Sequence, residues 1–215
     1  MSDYLAISDD QIEPGRPVTA TLMGQLRDNP QASIEGTVGA PKLAEVWIAG
    51  GAITAAAASQ SMTFVGLSQF VAIKFKIVAR PTTDGSTPWL RTSTNGGSSF
   101  DAGASDYAFA RSSLKILDSV SISTDDASTR MDVSPGVGNA TLESVNIDGI
   151  LWHPFNTSFH KQILWTASFM TGSSEIGSAI GAGRRLATTD VDAIQFLFDT
   201  GTIAEGRYVL TGIPA

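Results

Sequence analysis

From Val71 onward the chain alternates with a period of two: Val71, Ile73, Phe75 and Ile77 interleave with Ala72, Lys74, Lys76 and Val78. That pattern buries one face of a strand and leaves the other partly wet. The same alternation recurs in ESVNIDGILW (Val145, Ile147, Gly149, Leu151), in KQILWTASFM (Ile163, Trp165, Ala167, Phe169), in DAIQFLF and in GRYVLTGI. Shorter stretches of the same kind are AEVWIAG, SMTFVGL, TPWLRTS, YAFARSS and TRMDVS. TTDGSTP, TNGGSSFDAGAS and VSPGVGN separate strands with residues that favour turns. About nine or ten strands result, with no helical pattern between them to supply parallel crossovers. The expected fold is all-β: a jelly-roll-like, two-sheet antiparallel sandwich.

Residues 1–41 read differently. Pro14, Gly15, Pro17, Pro30, Gly36, Gly39 and Pro41 interrupt the segment too often for regular sheet. One short helix fits between them, with Pro17 in its first turn and Thr19 as cap. Val18, Leu22 and Leu26 follow at helical spacing until Asn29-Pro30 turns the chain out of the α region. Its apolar stripe is too small to stand alone, so another chain is expected to cover Val18, Leu22 and Leu26. The chain thus divides into an N-terminal arm, 1–41, and a sandwich domain, 42–215.

Composition narrows the partners. Twenty-one acidic residues against 14 basic ones give a net charge of −7, and no Lys/Arg cluster marks a phosphate-binding surface, so no nucleic-acid partner is expected. With no cysteine there is neither a disulfide framework nor a thiolate nucleophile or zinc ligand. The acidic start MSDYLAISDD is unlike a secretory signal, and no apolar run reaches the ~18 residues that span a bilayer, so the chain is read as soluble with no membrane insertion.

Candidate chemistry is sparse. His153 and His160, seven apart, belong on opposite faces of one strand or at two ends of a turn and read as surface or edge histidines. GLSQF ends in Phe70 where a nucleophile elbow needs glycine. GSAIGAGRR lacks the Lys-Ser/Thr of a phosphate loop, and Ile180 to Leu186 looks strand-like. Asp125, Asp126 and Asp132 form the densest acidic cluster, but their spacing is not that of a calcium loop, and they read as a solvated loop. No catalytic residue, metal or cofactor is therefore expected. Trp165, in phase with Ile163 and Phe169, reads as core. Trp89, beside Pro88 and near Arg91, is freer to face outward. It adjoins a long polar, glycine-rich turn, which makes Trp89 and Tyr107 candidate stacking platforms for a glycan, with Asn95 and Asp101 meeting hydroxyls.

The stretch PWLRTSTNGGSSFDAGASDYAF, Pro88 to Phe109, resembles a pattern in structural proteins of tailed bacteriophages: an aromatic-Leu-Arg strand, a Gly-Gly turn and an acidic-small-Tyr return. RRLATTDVDAIQFLFDTGTIAEGRYVLTGI is similar to their C-terminal ends, with Thr202 and Arg207 as variations. PVTATLMGQLRDNPQASIEGTVGAP resembles segments at the start of tail, spike and fibre proteins, with Arg27-Asp28-Asn29-Pro30 and Gly39-Ala40-Pro41 as landmarks. The resemblance covers about half of the chain. It implies a virion component of spike, fibre or decoration type, commonly a threefold homo-oligomer, and carries no catalytic residues. With it, Val18, Leu22, Leu26, Arg27, Asp28 and Asn29 become the residues expected to attach the arm to other virion proteins. Three roles compete: a spike or fibre that binds a host cell-surface polysaccharide, an architectural capsid or tail cement, and a polysaccharide-degrading enzyme. The last needs two carboxylates roughly 5 to 10 Å apart across a groove.

Overall fold

The computed structural model describes residues 4–12, 17–34, 45–116 and 120–214. Within them lie two helices, α1 (Asp9–Ile12) and α2 (Ala20–Ile34), and twelve strands. The strands are β1 (Val46–Ile53), β2 (Ser59–Thr63), β3 (Phe70–Pro81), β4 (Pro88–Ser93), β5 (Tyr107–Lys115) and β6 (Ser121–Ser128). They continue with β7 (Met131–Asp132), β8 (Val145–Trp152), β9 (Gln162–Met170), β10 (Ile176–Arg185), β11 (Ala193–Phe198) and β12 (Ile203–Pro214).

All pairings are antiparallel, and they nest. β1 pairs with β12, β2 with β11, β3 with β8 and β4 with β7, while β12 also pairs with β3 and β11 with β4. A long hairpin, β1 to β4 running against β7, β8, β11 and β12, has rolled into two facing sheets, which is the jelly roll expected from the alternation. The other four strands are two insertions: β5 and β6 lie between β4 and β7 in sequence, and β9 and β10 lie between β8 and β11. They meet through β10 and β5, from Gly177 opposite Lys115 to Arg185 opposite Tyr107. The result is an eight-stranded sheet, β1-β12-β3-β8-β9-β10-β5-β6, over a four-stranded sheet, β2-β11-β4-β7.

One core runs under both parts. Ile73, Phe75 and Ile77 of β3 are buried as their alternation predicts, and so are Ile163, Trp165 and Phe169 of β9, beneath the extension. Trp165 also donates its indole N–H to the Val133 carbonyl at 3.0 Å, which satisfies the one polar atom that its burial would otherwise strand.

Two strands exceed the expected nine or ten. β10 is seen only in part by its pattern because its inward positions are Gly177, Ala179, Gly181 and Gly183. A Cβ at Gly177 would overlap the Phe169 ring, one at Gly181 the Trp165 indole and one at Gly183 the Met131 thioether. The small residues are the buried ones, so the phase of the apolar pattern is reversed. β6 contains Asp125 and Asp126, read from sequence as a solvated loop. It is an edge strand, exposed along most of its length and held by its backbone pairing to β5, so no buried stripe announces it.

The arm also departs from expectation. α2 begins at Ala20, which leaves Pro17 and Val18 ahead of it, and Thr19 caps it by accepting from Leu22 N at 3.1 Å. It does not stop at Asn29-Pro30 but runs through Pro30 to Ile34. An interior proline costs a helix about 3 kcal/mol. Asn29 is held in place by its side chain, which donates to Leu5 O at 2.8 Å and accepts from Leu5 N at 3.1 Å. Gln25, buried, donates to Ala6 O and accepts from Gln11. These ties fasten the helix to the segment before it. The boundary between arm and sandwich, at 41/42, lies outside the described residues.

Candidate functional site

The expected glycan platform spans the end of β4, the loop from Thr94 to Asp106 and the start of β5. Alternation along β5 points Tyr107 inward, and it is fully buried. Its phenol oxygen accepts from Thr92 N at 2.7 Å and donates to the Asp101 carbonyl at 3.1 Å. Burial pushes the phenol up to about 12, partly opposed by the Thr92 hydrogen bonds, with Asp101 and Asp106 adding to the rise. The carboxylate of Asp101 takes Arg185 Nε at 2.6 Å. The carboxamide of Asn95 accepts from Ser93 Oγ at 2.9 Å and Ser99 N at 3.0 Å, and donates to Ser99 Oγ at 2.8 Å. Gly96 and Gly97, with φ of 70° and 80°, turn the backbone so that Gly96 N reaches the Asp192 carboxylate at 2.8 Å. The loop is knitted to itself and to the domain.

Trp89 is half-buried on β4. The Arg130 guanidinium lies over its ring at 4.2 Å and that of Arg91 at 5.8 Å, so a face expected to stack on sugar already carries a cation. The structure therefore gathers Trp89, Asn95, Asp101 and Tyr107 in one region but spends Asn95, Asp101 and Tyr107 on internal contacts. Tyr107 has no face to offer a ligand, because Tyr and Trp satisfy their polar tips inward when buried.

No family model matches the chain, and no curated protein matches it in sequence.

Of the arm residues expected to bind other virion proteins, Leu22 is buried and Asn29 is engaged with Leu5. Arg27 and Asp28 form a two-pronged pair at 2.6 and 3.0 Å on the surface. Val18 and Leu26 stay open to solvent, joined by Met23, which the sequence pattern does not single out.

The histidines sit at the two ends of the turn between β8 and β9, both exposed; His153 has a φ of 49°, and His160 places Nδ1 3.1 Å from the Arg185 carbonyl. Between them and β9, Lys161 is fully buried with Nζ donating to the carbonyls of Asn156, Phe159 and Thr188. Desolvation lowers its pKa, with Arg185 contributing. All three ammonium protons are used, so this lysine clamps two loops. Asp132 is paired with Arg130 at 3.0 Å. Among the described residues no group of three metal-ligating side chains converges.

Two features escape the sequence pattern. Arg111, at an inward position of β5, is 8% exposed, and its Nε and Nη1 have no hydrogen-bond partner. Desolvation lowers its pKa, partly offset by Asp132. The second is a shallow groove of about 650 Å³ on the outer face of the extension. Ala108, Ala110, Leu164 and Ala182 form its floor, with Asp125 and Asp126 on one side and Arg184 on the other. Its one aromatic lining residue, Phe109, is buried and offers no open face on which a sugar could stack.

Proposed function

We propose that this protein is a structural component of a tailed-bacteriophage particle, of spike, fibre or decoration type, in which the jelly roll is the outward domain and the helical arm the point of attachment. The observation that carries this reading is the arm itself. α2 is tied by Gln25 and Asn29 to residues 4–12, yet it keeps Met23 and Leu26 57% and 54% exposed, with Val18 ahead of it at 68%. Apolar side chains gathered there favour burial against another chain. The resemblance of PVTATLMGQLRDNPQASIEGTVGAP to the opening segments of tail, spike and fibre proteins supplies the kind of chain.

Between the roles of receptor binder and architectural part, the architectural one is better supported. Three of the four residues expected to meet a glycan are committed to internal hydrogen bonds or an ion pair. On the jelly-roll surface, Glu45 pairs with Lys74, Asp148 with Lys76 and Glu205 with Arg80.

The test is incorporation. Purified particles should contain the chain, and the double substitution Met23→Asp, Leu26→Asp should lower its occupancy about tenfold or more without changing the melting temperature of the domain. Particles that lack the chain, or that take up the doubly substituted chain at normal occupancy, would overturn the reading.

A further inference from the structure

The outer face of the extension is apolar where a monomer's surface is ordinarily polar. Leu114 and Ile116 at the end of β5, Val120 and Ile122 at the start of β6, and Ile176 and Ile180 on β10 are between 52% and 74% exposed. Each occupies an outward position, alternating with inward residues such as Ser113, Ser121 and Ala179. Six large apolar side chains exposed on three neighbouring strands are what an interaction surface presents.

The register of the strands shows what fits there. Ser112 of β5 lies opposite Ile180 of β10 on one side and Ile122 of β6 on the other. Farther along, Ala108 lies opposite Arg184, and Phe109 lies opposite Asp125. A two-fold axis laid along β5 keeps each residue at its level and exchanges the strands that flank it. β10 of one copy then covers β6 of the other. Ile180 meets Ile122, Leu114 meets Leu114 of the second copy at the axis, and Arg184 meets Asp126, whereas Asp125, opposite the inward Phe109, points to the other side of the sheet. Among the described residues Arg184 and Asp126 have no side-chain partner within the chain, so the charges left open on one face are complementary to each other across that axis. Ala108, Ala110 and Ser112 line the axis with small side chains, which suits the ~10 Å spacing of packed sheets.

We propose that this face joins two copies of the chain about a two-fold axis along β5. The contact uses none of the α2 residues, so association through the helix and association through the sheet are separately measurable, and the inference stands whether or not the virion reading does.

The chain has no cysteine, so single introduced thiols report cleanly. In the full-length protein, Leu114→Cys treated with a short bis-maleimide should give a covalent dimer as the main product. Val78→Cys, on the outer face of β3, should stay single. In sedimentation, Arg184→Asp should weaken self-association about tenfold, Asp126→Arg similarly, and the two together should restore it to within about threefold of the parent. Circular dichroism melting of each variant separates a lost contact from a lost fold. The proposal is overturned by a parent chain that sediments as a single copy at micromolar concentration, by a folded Leu114→Cys protein that yields no covalent dimer, or by a combined charge reversal no better than its parts.

Discussion

Across one continuous eight-stranded sheet, the two halves present different outer faces. On the jelly-roll half, β1, β12, β3 and β8 carry ion pairs: Lys74 with Glu45 at 3.1 Å, Arg80 with Glu205 at 3.0 Å and Lys76 with Asp148. On the extension, β9, β10, β5 and β6 carry Leu164, Ile180, Leu114 and Ile122, each about half or more exposed. The inner faces do not differ in this way, since Phe75 and Trp165 are buried in the same core. Backbone pairing and core therefore do not account for the contrast. The pairing of copies proposed above would account for it, with the extension's outer face covered by a second copy and the jelly roll's left to water.

The largest expected effect tests whether the halves share a core. Trp165→Ala removes the largest buried side chain of the extension and leaves the Val133 carbonyl without its donor. It should cost about 3 to 5 kcal/mol and shift a single cooperative urea transition. Two separate transitions would mean that the extension is an independent module with a core of its own.

The next sharpens the seam where β4 meets β5. Tyr107 has a folded-state pKa raised to about 12, above its ordinary value of about 10. A raised pKa favours the protonated phenol in the fold, so its contribution is complete below pH ~10 and is lost as pH rises toward ~12, amounting to about 2 to 3 kcal/mol. Denaturation of the parent across that window should show the loss, and Tyr107→Phe should show little of it while being less stable at neutral pH. An identical pH slope in the two proteins would remove Tyr107 as the cause.

A smaller effect, of opposite sign, belongs to Arg111. Its guanidinium is buried without a hydrogen-bond partner at Nε or Nη1, so Arg111→Met should raise stability by about 1 to 2 kcal/mol. A fall in the melting temperature would show that the charge is compensated. Smallest of all, Lys74→Ala on the jelly-roll face should change stability by less than about 0.5 kcal/mol, because an exposed ion pair contributes little.

These differences also explain what was readable in the sequence. Strands with one buried stripe, such as β3 with Ile73, Phe75 and Ile77, are legible because burial writes itself into alternation, and the jelly roll follows from enough such strands without helices. β10 is less legible because Trp165 and Phe169 fill the space beneath it and force glycine inward, and β6 is illegible because an edge strand needs no buried stripe. Pro30 misleads because the side chain of Asn29, anchored to Leu5 far away in sequence, holds the helix across it. Tyr107 lies beside a polar loop, which suggests a ligand platform, but its alternation in phase with Phe109 along β5 sends it into the core. The exposed face of the extension left a trace in the out-of-phase Ile176 and Ile180, yet only the register with β5 and β6 assembles them into one surface.

The contrast between the two halves is tested most directly by footprinting the full-length chain with a photoactivated carbene at rising protein concentration. The account predicts that labelling of Leu114, Ile122 and Ile180 falls as concentration rises, while labelling of Val78 and the outer face of β3 stays constant. Labelling of both faces that is unchanged over the whole range would contradict it.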